Sequence, residues 1–394
     1  MKLSVGLVAT GAAVALVSLS AVVASGAPAS AATPDATGKH AVSACSATPA
    51  KGYAACLDQI MVSNATGKPA ASGSPSGLNP SDIQSAYNLG GASSGGKTVA
   101  IVDAQDDPTA EADLATYRSQ FGLPECSTDN GCFSKVSQTG STSSLPGSDA
   151  GWATEISLDL DMVSATCPDC HILLVEADSA SFADLGAAVN YAASQPGVVA
   201  ISNSYGGSDS AASSDYDHPG IAITASTGDE GYGVESPASF DTVIAVGGTS
   251  LSNSGSGWTE SAWDGAGSGC SSDNDKPSWQ TDATQCSGKA NADVSAVADP
   301  NTGVSIYDST PYNGASGWQV YGGTSASSPI IASVYALSGN TSGYPAEYTW
   351  AHSDGLNDVT SGSNGSCSTS VWCNAGTGWD GPTGLGTPNG TSAF

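Results

Sequence analysis

The chain of 394 residues carries 37 acidic and 9 basic side chains, so its formal charge at neutral pH is −28. We expect no nucleic-acid partner, because Arg118 is the only arginine and lysines are sparse. The 39% of apolar residues excludes a disordered acidic tail, and the length permits one large domain or two smaller ones with a buried core.

Residues 1–31 have the pattern of a secretory signal peptide. Lys2 gives a positive start, an apolar stretch runs from Leu3 to Ala24, and Ala29-Ser30-Ala31 offers the small residues of a cleavage site. A single membrane anchor is the alternative, but no later segment approaches the roughly 20 continuous apolar residues that spanning needs. We therefore expect a secreted, extracellular protein that has no membrane contact after the signal peptide is removed.

The ten cysteines form neighbouring pairs, which in an exported chain predicts disulfides that close short loops. The pairs are Cys45/Cys56, Cys126/Cys132, Cys167/Cys170, Cys270/Cys286 and Cys367/Cys373. A redox or zinc motif is the alternative for Cys167-Pro168-Asp169-Cys170. There is no second CxxC and the four histidines are scattered, so a structural role is the simpler interpretation.

Residues 32–77 are rich in Ala, Ser, Thr and Pro without a sustained period, so we expect a short leader, pro-region or linker there. Helical spacing predicts helices over residues 79–89, 109–121, 152–164 and 182–194, and another from Thr324. Apolar runs predict strands over residues 99–102, 171–175, 198–202, 221–225 and 243–246, whereas residues 250–320 are expected to be loops. Apolar strands that alternate with helices indicate one α/β domain over 78–394, with a parallel sheet covered on both faces.

Gly322-Gly323-Thr324-Ser325 leads into an apolar run and predicts a nucleophile at the start of a helix. In the first turn of a buried helix, free backbone N–H groups and the positive end of the helix dipole face a developing oxyanion. Pro329 is tolerated close to a helix start. An ordinary serine N-cap is the alternative, so the motif needs partners elsewhere.

A serine nucleophile requires a base, and no histidine lies in a comparable segment. In the helix predicted over 152–164, Glu155 and Asp159 are four residues apart and therefore neighbours on one face. Burial beside a like charge raises the pKa of one of them. A solvated acidic stripe is the alternative, but the apolar neighbours Ile156, Leu158 and Leu160 favour burial.

Asp229 lies in the motif Gly-Asp-Glu-Gly, directly after the strand predicted over 221–225. Sites in parallel sheets form at the carboxyl ends of strands, and a protonated aspartate there donates a hydrogen bond to an oxyanion. Taken alone, this motif indicates a turn.

Together and in this order, the motifs around Glu155, Asp229 and Ser325 resemble the sedolisin family of serine-carboxyl peptidases. The resemblance covers about residues 78–388 and extends to the segments 99–103, 204–207 and 245–250. It implies a three-layer, subtilisin-like α/β fold with a mainly parallel central sheet and helices on both faces.

The resemblance also implies an endopeptidase that hydrolyses peptide bonds through an acyl-enzyme. Ser325 would attack the carbonyl, Glu155 would act as general base and then as general acid, and Asp159 would orient Glu155. Protonated Asp229 and the N–H of Ser325 would hold the oxyanion. Because carboxyl groups replace imidazole and Asp229 must keep its proton, we expect activity in acid.

A structural calcium ion near the C-terminus is implied by the same resemblance. Its ligands would be the carboxylates of Asp358 and Asp380 and the carbonyls of Val359, Gly376 and Gly378. Such an all-oxygen set suits a hard cation.

Substrate would pair with the edge formed by Ser204, Tyr205 and Gly206 through strand addition. Tyr205 stands where the family commonly has Trp, and Asp103 stands where a Glu that extends the hydrogen bonds of the triad can occur. The expected partners are protein or peptide substrates, and the protein is expected to be a monomer.

Two other functions stay open at this point. A weak or inactive relative that acts as a secreted binding module is favoured by the short leader, since the family usually carries a long inhibitory pro-domain. A glycosidase would also use paired carboxylates, but Glu155 and Asp159 on one helix approach from the same side and cannot flank a bond.

Overall fold

A computed structural model describes residues 1–4, 38–45, 48–340 and 342–394. Apart from its first four residues, the predicted signal peptide lies outside the described residues. The described residues from 38 onward belong to one compact unit. Within the described ranges, no helix combines the length and apolar content that crossing a membrane requires.

Nineteen strands and six helices make up the regular structure of the described residues. The strands of the first half are β1 (Lys39–Ser43), β2 (Ala55–Cys56), β3 (Gln59–Ser63), β4 (Thr98–Ala104), β5 (Phe133–Ser137), β6 (His171–Ala177), β7 (Val198–Asn203), β8 (Tyr205–Ser208), β9 (Ala222–Ser226) and β10 (Glu235–Ser236). The later strands are β11 (Ile244–Asn253), β12 (Trp258–Ala262), β13 (Cys270–Asp275), β14 (Gly288–Ala290), β15 (Val294–Val297), β16 (Val304–Tyr312), β17 (Ala315–Gly322), β18 (Leu356–Asn357) and β19 (Thr387–Pro388). The helices are α1 (Pro80–Ala86), α2 (Ala110–Phe121), α3 (Ala150–Thr166), α4 (Phe182–Ala193), α5 (Thr324–Ser338) and α6 (Pro345–Ala351).

The central sheet has eight strands, in the order β12-β11-β9-β7-β4-β6-β5, with β15 paired to β11 beside this path. All of its pairs are parallel except β11 with β12. Alternate residues of β4 pack into different parts of the core. Val99 and Ile101 pack on the side of α1, α2, α3 and α5, whereas Ala100 and Val102 pack on the side of α4. Helices therefore cover both faces of the sheet, and the predicted three-layer α/β class is confirmed.

Every strand predicted from an apolar run, and every predicted helix, is present with shifted ends. The expectation of loops over 250–320 is wrong, since this stretch contains β12 to β17 and the end of β11. Most of these strands form antiparallel pairs with partly exposed residues. The sequence of β13, Cys-Ser-Ser-Asp-Asn-Asp, shows why the apolar signal of a buried parallel strand is missing.

The segment expected as a leader or linker also forms strands. β1 pairs with β3, and β3 pairs with β17 in a four-stranded antiparallel sheet, while β2 pairs with β8. The predicted boundary at residue 78 is therefore not a boundary in packing. That residues 32–77 are a leader or pro-region stays a prediction.

All five predicted disulfides are formed, with the predicted sequential pairing. Cys167 and Cys170 are joined to each other, as a structural staple requires, and the structural role of this CxxC stays a prediction.

Candidate active site

Ser325 lies in the first turn of α5, as the sequence predicts, and is fully buried. Gly323, directly before the helix, has a φ of +92°, a left-handed conformation that glycine tolerates without strain. A Cβ at Gly323 would fall less than 3.0 Å from both the carbonyl oxygen of Leu57 and Oδ2 of Asp229. Glycine is thus required for these two oxygens to approach the start of the helix.

Pro329 lies inside α5 in its second turn, one turn deeper than the opening turn expected from the sequence. Proline has no N–H, so the carbonyl of Ser325, four residues earlier, loses its helical partner. The hydroxyl of Ser204 donates to this carbonyl at 3.3 Å and to Oδ1 of Asp159 at 2.7 Å. Ser204 therefore connects the helix of the nucleophile to α3.

The Ser325 hydroxyl donates to Oε2 of Glu155 at 2.8 Å, so the nucleophile and the carboxyl group are in direct contact. Ser325 Oγ also lies 3.2 Å from the carbonyl oxygen of Ser204. Glu155 is fully buried on α3. A carboxylate at hydrogen-bond distance from a serine hydroxyl has the geometry that a general base requires.

Four carboxyl groups gather at this site: Glu155, Asp159, Asp103 in β4, and Asp58 directly before β3. All four are fully buried, and none forms an ion pair with a basic side chain within the part of the chain that the structure describes. Burial raises the pKa of each, and the charges of Asp58, Asp159 and Asp103 raise that of Glu155 further. The hydrogen bond from Ser325 opposes this rise for Glu155.

Asp159 does not contact Glu155 through a hydrogen bond among the described residues. Its Oδ1 accepts from Ser204, and its Oδ2, like Oε1 of Glu155 and both oxygens of Asp103, is buried without a hydrogen-bond partner in the described ranges. The resemblance implies that Asp159 orients Glu155, but no hydrogen bond between the two side chains supports this role among the described residues. Asp159 acts on Glu155 through its charge, which raises the pKa of Glu155.

Asp229 follows β9 and reaches the same helix start. Its Oδ1 accepts hydrogen bonds from the N–H and the hydroxyl of Thr324, both at 2.8 Å. Its Oδ2 is buried and has no hydrogen-bond partner among the residues described. Burial raises the pKa of Asp229 to about 7, although the bonds from Thr324 oppose the rise. A protonated Oδ2 is therefore free to donate to an oxyanion beside Ser325.

The expected substrate edge lies next to the nucleophile. Ser204 follows β7, and Tyr205 and Gly206 begin β8. The hydroxyl of Tyr205 donates to Oδ1 of Asn203 at 2.7 Å inside the core. In this structure residues 55–57 occupy that backbone edge.

The five residues expected to bind calcium belong to two neighbouring loops. Asp358 accepts from the N–H of Gly378 at 3.1 Å, and Oδ2 of Asp380 accepts from the N–H of Gly376 at 3.0 Å. Burial raises the pKa of Asp380 to about 7, and the nearby charge of Asp358 adds to this rise. Val359 is buried beside them. The two carboxyl groups are thus neighbours, but the contacts that Gly376 and Gly378 make with them are through backbone N–H groups, so the calcium site stays a prediction.

Sequence reasoning does not single out Leu57 or Asp58, which the structure brings to the site from the presumed leader. Leu57 N–H donates to Oε2 of Glu155 at 2.9 Å. The signal that could have marked this segment is the apolar run over residues 54–62, which interrupts a stretch rich in small polar residues.

Comparisons with known proteins agree with this geometry. The model of the subtilase family matches residues 139–363. Kumamolisin from Bacillus sp. (strain MN-32) is 29% identical over 363 residues, which cover 81% of this chain and 63% of kumamolisin. Sedolisin from Pseudomonas sp. (strain 101) is 29% identical over 371 residues, which cover 81% of this chain and 61% of sedolisin. The chain thus spans about three-fifths of the length of these two relatives.

The solved structure of Pseudomonas sedolisin, described as a serine-carboxyl proteinase in complex with two molecules of pseudo-iodotyrostatin, superimposes with a TM-score of 0.65 at 26% identity. The match covers 80% of this chain and 96% of that structure. The family model covers more than half of the chain, and the fold and these relatives point to the same group of proteins. The chain therefore belongs to the subtilase family and is a sedolisin-type member of it.

Proposed function

We propose that this protein is a secreted serine-carboxyl endopeptidase that hydrolyses peptide bonds in acid through an acyl-enzyme on Ser325. The observation that carries the proposal is the 2.8 Å hydrogen bond from the buried Ser325 hydroxyl to Glu155, at a helix start that Asp229 also reaches. The relative sedolisin is itself described as a serine-carboxyl proteinase, which supports the reaction class.

In the first half of the reaction, Ser325 Oγ attacks the substrate carbonyl while Glu155 accepts the hydroxyl proton. The negative charge that develops on the carbonyl oxygen is stabilised by the N–H of Ser325 and by the proton on Asp229. Glu155 then delivers its proton to the leaving nitrogen. In the second half, Glu155 activates a water molecule that releases the acyl group from Ser325.

The pKa of Asp229 sets the upper limit of the working range. Since that pKa is about 7, Asp229 keeps its proton in acid and loses it as the pH rises through neutrality. We therefore expect hydrolysis in acid and its loss above about pH 7.

Protein or peptide substrates would add as a strand to the Ser204–Gly206 edge, where backbone bonds hold the chain and leave its side chains to provide selectivity. A calcium ion held by Asp358, Asp380 and the carbonyls near Gly378 would fix the C-terminal loops. This ion is structural in the proposal and takes no part in the hydrolytic steps.

The test compares wild type, Ser325→Ala and Ser327→Ala on a peptide mixture between about pH 3 and about pH 8. We expect Ser325→Ala to lose at least about 10³-fold in kcat/KM with unchanged melting, because it removes the nucleophile. Ser327→Ala is the matched control, since among the described residues its hydroxyl bonds only to the Thr324 carbonyl within the same helix. Equal activity of both variants, or a maximum in mild alkali, would contradict the proposal.

A further inference from the structure

The hydroxyl group of Ser204 lies between the helix of the nucleophile and the acidic residues of α3. Ser204 directly follows β7 and is fully buried. Its hydroxyl has two acceptors, Oδ1 of Asp159 at 2.7 Å and the carbonyl oxygen of Ser325 at 3.3 Å. The expected strand addition of substrate uses only the backbone of Ser204. The side chain is therefore available for a separate role.

The two acceptors of Ser204 compete, because a hydroxyl group carries a single proton. An ionised Asp159 attracts this proton more strongly than a neutral carbonyl does, since the hydrogen bond is then charge-assisted. In a protonated Asp159, a proton on Oδ2 would have no acceptor, because this oxygen is buried without a hydrogen-bond partner among the described residues. A proton on Oδ1 donates to Ser204 Oγ, and the hydroxyl proton of Ser204 then turns to the Ser325 carbonyl.

The carbonyl of Ser325 depends on this donor, because its own helix does not supply the usual one. In an α-helix, the carbonyl of residue 325 accepts from the N–H of residue 329. Pro329 has no N–H, although α5 continues through it to Ser338. A buried carbonyl without a donor destabilises its surroundings, so the direction of the Ser204 proton affects the start of this helix.

Ser204 and Ser325 contact each other in both directions. Ser325 Oγ lies 3.2 Å from the carbonyl oxygen of Ser204, while the hydroxyl of Ser204 reaches the carbonyl of Ser325. The hydroxyl of Ser325 is in turn divided between that carbonyl and Oε2 of Glu155, at 2.8 Å. The two serines therefore fix the backbone of the nucleophile relative to its base. The N–H that is proposed to hold the oxyanion belongs to this same backbone.

The ionisable groups that face Asp159 are all acidic: Glu155 one turn earlier in α3, Asp103 in β4, and Asp58 directly before β3. The adjoining β7 and α5 contain no charged residue. Burial raises the pKa of Asp159 most, the charge of Asp103 adds to the rise, and the bond from Ser204 opposes it. Asp159 therefore keeps its proton in acid and loses it as the pH rises.

We propose that Ser204 is a positioning residue for the proposed reaction, and that its hydroxyl transmits the protonation state of Asp159 to the backbone carbonyl of Ser325. With Asp159 protonated, Ser204 donates to Ser325 and holds the start of α5 in place for attack. With Asp159 ionised, the hydroxyl turns to Asp159 and the carbonyl loses this donor. The proposal rests on the proposed peptidase function and gives Asp159 a route to the nucleophile that needs no direct bond to Glu155.

The first experiment compares Ser204→Ala with Ser202→Ala on one peptide substrate. Ser204→Ala keeps the substrate-binding backbone but removes the donor, so kcat near pH 4 should fall at least about tenfold while KM stays within about twofold. Ser202→Ala is the matched control, because Ser202 is equally buried and, within the described ranges, its hydroxyl bonds only to that of Ser328. The kcat of this control should match that of wild type.

The pH dependence distinguishes the proposed coupling from a role in packing alone. The ratio of wild-type to Ser204→Ala kcat is free of the ionisation of Asp229, which both proteins share. This ratio should fall at least about threefold between about pH 4 and about pH 7, because ionised Asp159 already withdraws the donor in wild type. A constant ratio would overturn the proposal. In an Asp159→Asn background the ratio should not depend on pH, and a ratio that still falls there would overturn the route through Asp159.

Pro329→Ala tests the same coupling from its other end. Alanine at this position supplies the N–H that the Ser325 carbonyl lacks, and it does so at every pH. Added to Ser204→Ala, it should raise kcat near pH 4 at least about fivefold. Alone, it should make the decline of kcat toward neutral pH less steep than in wild type, which keeps the proposal testable even where Ser204→Ala does not fold. A folded double variant no faster than Ser204→Ala, or an unchanged decline in Pro329→Ala, would overturn the proposal.

Failure of this inference and failure of the proposed function give different results. If Ser325→Ala is inactive and Ser204→Ala keeps the wild-type kcat at every pH, the peptidase function stands and the coupling is wrong. If Ser325→Ala hydrolyses the peptide as fast as wild type, the assigned nucleophile is wrong and the coupling is wrong with it. All rates are compared per folded molecule, with the folded fraction taken from the melting curve of each variant.

Discussion

Two regions of this molecule bury carboxyl groups in opposite ways. Asp293 is almost fully buried and has donors on every side: the ammonium of Lys289, the amide of Gln280, the indole of Trp350 and the backbone N–H of Ala245. The carboxyl groups around Glu155 are equally buried, but several of their oxygens have no hydrogen-bond partner among the described residues.

This difference distinguishes a buried carboxyl group that stabilises the fold from buried carboxyl groups that take part in chemistry. A buried charge that is fully paired holds neighbouring segments together, and removal of its charge leaves the partners unsatisfied. Unpaired buried carboxyl groups cost folding free energy and are retained where their proton transfer is useful. The contrast therefore supports a catalytic assignment for the site at Ser325 and a structural one for Asp293.

The largest expected effect comes from neutralising one carboxyl group in each region. Asp293→Asn leaves the buried cation of Lys289 without its counter-charge and should lower the free energy of unfolding by about 3–5 kcal/mol. Glu155→Gln removes one of several mutually repelling groups and should change it by less than about 1 kcal/mol, or raise it. Denaturant unfolding of both variants at neutral pH measures the two effects.

Asp354→Asn serves as the control, because Asp354 is exposed and its neutralisation should leave stability unchanged. Peptide hydrolysis should rank the two variants in the opposite order. We expect Glu155→Gln to be inactive and Asp293→Asn to be active as long as it is folded. A large loss of stability in Glu155→Gln would contradict the contrast between Asp293 and the carboxyl groups around Glu155.

The pH dependence of stability is a second and smaller effect. Burial raises the pKa of Asp58 and Asp229 from 3.8 to about 7, so the folded chain binds more protons than the unfolded chain between these values. The free energy of unfolding should therefore be highest near pH 4 and fall as the pH rises to about 7, by up to about 1.4 kcal/mol per group and pH unit. Calorimetry in acid and at neutral pH measures this fall.

Asp229→Asn sharpens that measurement, because it removes one of the titrating groups and should flatten the decline. A melting temperature that rises steadily from pH 4 to pH 7 would show that ionised carboxylates stabilise this fold, which is the opposite of the expected sign.

The smallest expected effect concerns the loops that contain Asp358 and Asp380. If calcium binds there, dialysis against EDTA should lower the melting temperature by several degrees, and added calcium should restore it, because a ligand that binds only the folded state stabilises it. Asp358→Asn should melt like the EDTA-treated wild type and no longer respond to calcium. An unchanged melt of wild type after chelation would contradict the site.

The sequence predicts the central layers of this fold well, because buried parallel strands such as β4 have continuous apolar runs. It fails for β13 and β16, antiparallel strands in which polar residues such as Ser271, Asn274 and Ser305 occupy buried positions, so that no continuous apolar run marks them. It also fails for β1 to β3, where a composition typical of linkers hides short strands whose partners lie far along the chain.

The same limit applies to the site. Ser325, Glu155 and Asp229 are predictable because each lies in a local motif with its own chemical meaning. Asp58 carries no such motif and reaches the site through tertiary contacts, with Thr154 through its carboxyl group and through the pairing of the adjacent β3 with β17, about 260 positions away. Pairing over such a distance depends on the whole fold and leaves no local pattern in the sequence.

Helix α3 is buried along almost its entire length, from Gly151 to Thr166. A helix without a solvent-facing side exchanges its amide hydrogens only when the surrounding core opens. The base therefore cannot be reoriented by loop motions, and deuterium uptake around Glu155 should be among the slowest in the molecule. Heat should then abolish hydrolysis and the folded state in a single transition, without a folded but inactive form in between.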